Sequence, residues 1–197
     1  MISKEYKVVF IHIPKNAGTS ICNFLQEKQT GICVQPKIHS DINDIKNKFP
    51  QAYKNYRKFA VVRNPYDRMV SWFSYLKESA ENSDFDMSLM YPTEFSKWIE
   101  DPFKYWLPHE KLNIDENGKY SLHFLEHQYT WVDETVTILK YENLKEELID
   151  FLGEQVDLPI MNKSKRDEYI DYYNRKSLDI VYNRYEEDFK KYNYKKL

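Results

Sequence analysis

The chain has 197 residues with 29 Lys+Arg against 31 Asp+Glu, a length that suits one large domain and a charge balance that disfavours a nucleic-acid partner or an anionic membrane surface. Its 42% hydrophobic content is that of a globular protein and excludes disorder throughout; a chain of this size buries enough surface to need no metal or disulfide for stability. Apolar runs are no longer than Val8-Val9-Phe10-Ile11, too short for a membrane span or an export leader, so the sequence reads as soluble and cytosolic.

In chain order, Lys7 to His12 is short, β-branched and almost continuously apolar, the pattern of a strand buried on both faces of a parallel sheet. It stops at Pro14. After the turn Pro14-Lys15-Asn16-Ala17-Gly18, Thr19 and Ser20 can cap a helix with Ile21, Phe24 and Leu25 on its apolar stripe. Cys22 and Cys33 have no C-x-x-C spacing and read as reduced, buried thiols. The pattern returns at Phe59-Ala60-Val61-Val62, followed by Arg63, by Asn64-Pro65 as N-cap and first turn, and by a helix with Met69, Val70, Trp72, Phe73 and Leu76.

Residues 77–130 lack strand patterns and carry Trp98, Tyr105, Trp106 and Pro108, which predicts a mostly helical insertion. A third strand is predicted at Val136-Thr137-Ile138-Leu139. It is followed by Asn143 as cap, by a helix bearing Leu144, Leu148, Ile149 and Leu152, and by Gly153 as terminator. The stretch from Ser177 to Tyr194 has the spacing of a packed terminal helix. Strands alternating with helices predict one α/β domain over 1–197: a P-loop-like three-layer fold, its central sheet mainly parallel and flanked by helices.

A strand, a tight loop and a helix opening on Gly18-Thr19-Ser20 form an anion site, because unpaired backbone N–H groups and the helix dipole converge there. A nucleoside-triphosphate loop of the form G-x-x-x-x-G-K-[ST] requires glycine at 13 and lysine at 19, and the chain has Ile13 and Thr19. Its lysine is Lys15, on the near side of the loop, where an ammonium can reach a leaving-group oxygen. The acidic residue that would hold magnesium at the end of a second strand is also missing.

The segment Phe10-Ile11-His12-Ile13-Pro14-Lys15-Asn16-Ala17-Gly18-Thr19-Ser20 resembles the 5′-phosphosulfate loop of sulfotransferases, in particular the branch containing heparan sulfate 2-O-sulfotransferase. Phe59 to Ser71 resembles that family's 3′-phosphate motif, with Arg63 ending a strand and Ser71 two helical turns further on. Weaker likeness runs through Gln128, the segment Leu139 to Leu144, and Asn162-Lys163-Ser164.

The resemblance implies a sulfuryl transfer from 3′-phosphoadenosine 5′-phosphosulfate (PAPS) to a hydroxyl of a carbohydrate or glycoconjugate. Adenosine 3′,5′-bisphosphate (PAP) leaves, and no metal is required. Lys15 would act on the departing phosphate oxygen, with Asn16, Ala17, Gly18, Thr19 and Ser20 around the 5′-phosphate. Arg63, Ser71, Lys163 and Ser164 would hold the 3′-phosphate, with Arg166 beside them.

The acceptor needs a base near neutral pH, and His39, lying between the two donor motifs, is the candidate, with His109 the runner-up and His12 read as structural. Trp98, Tyr105 and Trp106 are candidates for lining an acceptor cleft. Other readings of the same residues stay open: a small P-loop nucleotide kinase, a non-catalytic protein that binds adenosine bisphosphate, and a zinc peptidase through His123-Phe124-Leu125-Glu126-His127, which fits H-x-x-E-H but lacks an evident third ligand.

Overall fold

The computed structural model describes residues 1–27, 39–81, 94–102, 113–114, 120–121, 125–158 and 166–197. A four-stranded sheet, in the order β1 (Ile2–Ser3), β2 (Val8–Ile11), β3 (Arg57–Val62), β6 (Thr137–Lys140), organises the first part of the molecule. β2, β3 and β6 are parallel, with Phe10 opposite Phe59 and Val61 opposite Leu139, while β1 pairs antiparallel with β2 at the edge. The continuous apolar runs follow from burial on both faces. Val8, Phe10, Phe59 and Val61 point one way and Val9, Ile11, Ala60 and Val62 the other, and none exceeds 1% exposure.

Helices α1 (Gly18–Glu27) and α6 (Leu144–Leu152) cover the face carrying Phe10 and Phe59, through Ile21, Phe24 and Leu25 and through Leu144 and Leu148. Each such side chain contributes about 1.5–3 kcal/mol by leaving water. Gly153 closes α6 at φ 79°, where a side chain would be strained, and its N–H bonds the Ile149 carbonyl at 2.8 Å. Two short helices, α2 (Ile42–Lys48) and α3 (Pro50–Asn55), lead into β3. Asp41 caps α2 by accepting from the Asp44 N–H at 2.8 Å.

The chain divides into two compact units, Met1–Arg63 with His127–Lys163 and Asn64–Glu126 with Ser164–Leu197. The sheet belongs to the first. The second is built on α4 (Pro65–Glu81) and α7 (Arg175–Lys191), with the short α5 (Phe95–Trp98) and a separate two-stranded hairpin, β4 (Asn113–Ile114) with β5 (Tyr120–Ser121). Asn64 starts α4 as expected, its Oδ1 accepting from the Tyr66 N–H at 3.0 Å and its carbonyl from the Arg68 N–H at 2.8 Å. Tyr66, Met69, Phe73, Phe95, Trp98, Val181, Tyr185 and Phe189 form one aromatic core. α7 opens with a capping box between Asn174 and Ser177 and bends at Tyr185, whose φ/ψ of −115°/23° leaves the helical range.

Four sequence expectations change. The third strand lies one residue later than Val136-Leu139, at Thr137–Lys140. Asn143 stands at the N-cap of α6, but its side chain makes no capping bond, because a 3-10 turn over Tyr141–Asn143 already feeds the helix. The terminal helix begins at Arg175 and ends at Lys191 rather than running from Ser177 to Tyr194. The region 77–130 is not free of strands: it contains β4 and β5, which pair antiparallel. Cys22 is half-buried on α1; Cys33 lies outside the described residues.

Candidate functional site

In an open parallel sheet the carboxyl ends of the strands are where ligands are bound, because the loops that leave them converge. The carboxyl ends of β2, β3 and β6 lead to the loop and first turn of α1 up to Ser20, to Arg63 and to Tyr141 respectively. These segments carry Lys15 to Ser20 and Arg63 among the expected donor residues, and also Tyr141.

The β2–α1 loop is held in an unusual backbone shape. Lys15 and Ala17 have φ of 70° and 60°, a region that costs a residue with a side chain about 1–2 kcal/mol. Left-handed residues alternating with others turn successive backbone N–H groups toward one concavity, a known anion-binding arrangement, and α1 begins directly after it at Gly18. A donor set of backbone N–H groups, hydroxyls and one ammonium suits a phosphate. Thr19 is exposed and Ser20 is buried at the start of the helix, while Lys15 is half-buried.

Gly18 is glycine for a reason that its backbone angles do not show: a Cβ placed there would lie 1.7 Å from His12 Nε2. The His12 imidazole therefore packs directly on the start of α1. It also lies against Phe10, with centroids 5.8 Å apart, and against His39, at 4.6 Å. His39 is half-buried, its Nδ1 stands 3.3 Å from the His12 carbonyl oxygen, and its ring meets the edge of Trp131 at 6.4 Å. Donation from Nδ1 to that carbonyl selects the tautomer whose basic lone pair is on Nε2. His39 thus stands one imidazole away from the start of α1, and Asp41, not His39, caps α2.

Arg63 is buried rather than a surface residue, with 5% exposure. Its Nη1 donates to the Lys15 carbonyl at 3.0 Å, and its guanidinium lies 3.9 Å from the centroid of the Tyr141 ring. A charge-assisted bond to the carbonyl of a left-handed residue helps hold that strained geometry. The Asn16 side chain is turned inward: Nδ2 donates to the Val61 carbonyl and to Gln128 Oε1, both at 2.7 Å. Gln128, fully buried in a 3-10 turn over Gln128–Trp131, also accepts from the Arg63 N–H and donates to the Arg63 carbonyl, each at 2.9 Å.

Lys15, Asn16, Ala17, Gly18, Thr19, Ser20, His39 and Arg63 therefore all belong to the first unit, where Arg63 is bonded to the loop and His39 reaches it through His12. Ser71 is half-buried on α4 in the second unit. Arg166 pairs with Asp67 within that second unit. Trp98 does not line a cleft: it is fully buried in the aromatic core beside Phe73 and Phe95, because α5 turns its apolar side inward. Lys163, Ser164, Tyr105, Trp106, His109 and His123 fall outside the described residues. Among the described residues no group of three or more His, Cys, Asp or Glu side chains is arranged to hold a metal ion, and no helix is long and apolar enough to cross a membrane.

The sheet order, the left-handed loop at the end of β2 and the displaced lysine define an α/β protein without the nucleoside-triphosphate signature. The model of the Sulfotransferase family matches residues 1–195, and the chain belongs to that family. No curated protein matches it.

Proposed function

We propose that the chain transfers a sulfuryl group from PAPS to a hydroxyl of a carbohydrate or glycoconjugate. The observation that carries this reading is the bond from the Arg63 guanidinium to the carbonyl of Lys15, which joins the two motifs expected to grip opposite ends of one nucleotide. Membership of the sulfotransferase family supports sulfuryl transfer in general.

The donor supplies an activated sulfuryl group: the acceptor oxygen forms a bond to sulfur while the bond from sulfur to the bridging oxygen breaks, and PAP departs with that electron pair. Lys15 is assigned to that oxygen, where an ammonium offsets the developing charge. The backbone N–H groups of Asn16 to Ser20 and the hydroxyls of Thr19 and Ser20 are assigned to the 5′-phosphate. Arg63 is assigned to the 3′-phosphate as a planar fork backed by the Tyr141 ring. Ser71, Lys163 and Ser164 enter on their sequence motifs alone. His39 takes the acceptor proton on Nε2, with Nδ1–H anchored on the His12 carbonyl.

Titration calorimetry with PAP and with ATP tests the reading in wild type and Arg63→Ala. Micromolar binding of PAP in preference to ATP, lost in the variant, supports it. Equal or exclusive binding of ATP overturns it in favour of a kinase, and PAP binding without sulfate transfer favours a non-catalytic binding protein.

A further inference from the structure

Gln128 lies 112 residues from Asn16 in sequence and 65 from Arg63, yet one primary amide joins both. Its Oε1 accepts from Asn16 Nδ2 at 2.7 Å and from the Arg63 N–H at 2.9 Å, and its Nε2 donates to the Arg63 carbonyl at 2.9 Å. The Arg63 backbone is bonded on both its donor and its acceptor by a side chain that occupies the place of a neighbouring strand. Asn16 continues the chain of bonds to the Val61 carbonyl, and Arg63 closes it through Nη1 to the Lys15 carbonyl at 3.0 Å. The result is a ring: loop, Gln128, end of β3, and back to the loop.

Two features separate this ring from ordinary satisfaction of buried groups. Both partners of Asn16 Nδ2 are acceptors, so the orientation of its amide is fixed, and Asn16 Oδ1 is then left buried without a hydrogen-bond partner among the described residues. A buried unsatisfied acceptor destabilises the fold, so the geometry is retained against its cost. The ring also includes the two residues whose placement the donor depends on: Lys15, at positive φ, and Arg63, whose guanidinium must project from a fixed backbone.

We infer that Gln128 is a positioning residue that couples the phosphate loop to Arg63, so that the pockets for the two phosphates of one nucleotide are set together. The inference rests on the proposed donor. Gln128 touches no reacting atom; it acts by holding the Arg63 backbone and the Asn16 amide at the same point. Glutamine is required by its chemistry, since the point needs one oxygen that accepts twice and one N–H that donates, and neither a carboxylate nor a thioether of the same length offers both.

The test compares the affinities of PAP and adenosine 5′-monophosphate, whose ratio reads the contribution of the 3′-phosphate, in wild type and Gln128→Met. The expected result is a ratio at least tenfold smaller in the variant, with monophosphate affinity falling less. A residue that only stabilises the fold would lower the melting temperature and leave the ratio unchanged, and that outcome overturns the inference. Hydrogen exchange of the wild-type Arg63 amide gives a second measurement that needs no variant. Because that N–H is bonded to Gln128, the monophosphate, bound only at the loop, should slow its exchange at least threefold, and an unchanged rate with the site saturated overturns the coupling. If wild type binds neither nucleotide, the proposed donor fails first and the inference with it.

Discussion

The two units bury polar groups to different ends. In the first, Asn16, Arg63 and Gln128 are spent on backbone positions at or near the ends of strands, their bonds tying the β2–α1 loop and the 128–131 turn to the end of β3. In the second, Arg68 is almost wholly buried within an aromatic core, where burial pulls its pKa down while Tyr185, Asp188 and Glu126 favour its charge, and its Nη1 donates to the Glu126 carbonyl at 2.9 Å. Around it Tyr66, Phe73, Phe95, Trp98 and Phe189 meet edge to face or tilted, with centroids 4.8 to 5.8 Å apart. The buried polar bonds of the first unit fix the ends of its strands, and those of the second lie among helices packed against each other. Substitutions in the two should therefore be read out differently, one in ligand parameters and the other in stability.

The largest effect expected is Trp98→Ala, which empties the centre of the second unit and should destabilise it by about 4 kcal/mol in denaturant unfolding. The ratio of PAP to monophosphate affinity should stay at the wild-type value in the protein that remains folded, and a changed ratio would break the contrast. Lys15→Ala should do the reverse. Alanine at position 15 meets the same left-handed backbone as lysine, so the melting temperature should hold, while kcat falls by about a hundredfold, corresponding to roughly 3 kcal/mol of transition-state stabilisation.

Gly18→Ala lies between these extremes, because the new methyl must displace the His12 imidazole that packs there. A loss of about 1–3 kcal/mol is expected from overpacking. The double variant with His12→Ala should be no less stable than His12→Ala alone; a further loss in the double variant would show that something other than the imidazole demands glycine.

The smallest effect concerns Asp133, which accepts from Tyr53 Oη at 2.8 Å, the Thr135 N–H at 2.9 Å and Thr135 Oγ1 at 2.6 Å. Burial raises its pKa, but these bonds together with Lys58 outweigh burial and hold it below the ordinary carboxylate value. A depressed folded pKa means that the stabilisation is present above the unfolded value, about 3.9, and disappears as pH falls through the folded one. Thermal melts between pH 6 and pH 3 should find Asp133→Asn losing slightly less stability on acidification than wild type. An identical slope would mean that the carboxylate contributes nothing.

The parts of this fold legible in the sequence are those that repeat a local pattern. β2 and β3 announce themselves because burial on both faces leaves no polar alternation, and α1, α4, α6 and α7 because their apolar residues recur at helical spacing. The Asn64-Pro65 start of α4 and the Gly153 end of α6 are read from single residues with one physical use each. β1, only two residues long, carries no period at all, and α2 and α3 are too short to declare one. In the candidate site, Lys15 and Gly18 stand out because they lie in a strand-loop-helix turn, whereas Arg63 and Ser71 stand out only through the resemblance to the sulfotransferase motif. The bonds made by Gln128 are not legible, because they join partners 65 and 112 residues away and glutamine among aromatic and polar neighbours has no periodic signature. Tyr141 could have been found by asking which residue succeeds the third parallel strand, since all three strand ends point to the same region of their unit.

The left-handed turns at Lys15 and Ala17 leave the loop away from its thermodynamic optimum. Glycine at position 17 would relieve the steric penalty, although part of the gain returns as entropy of the unfolded chain, so a campaign of thermal selection has an incentive to choose it. What such selection would discard is rigidity in the segment proposed to hold the 5′-phosphate. Hardier variants raised by heat alone are therefore best screened for nucleotide affinity before they are kept.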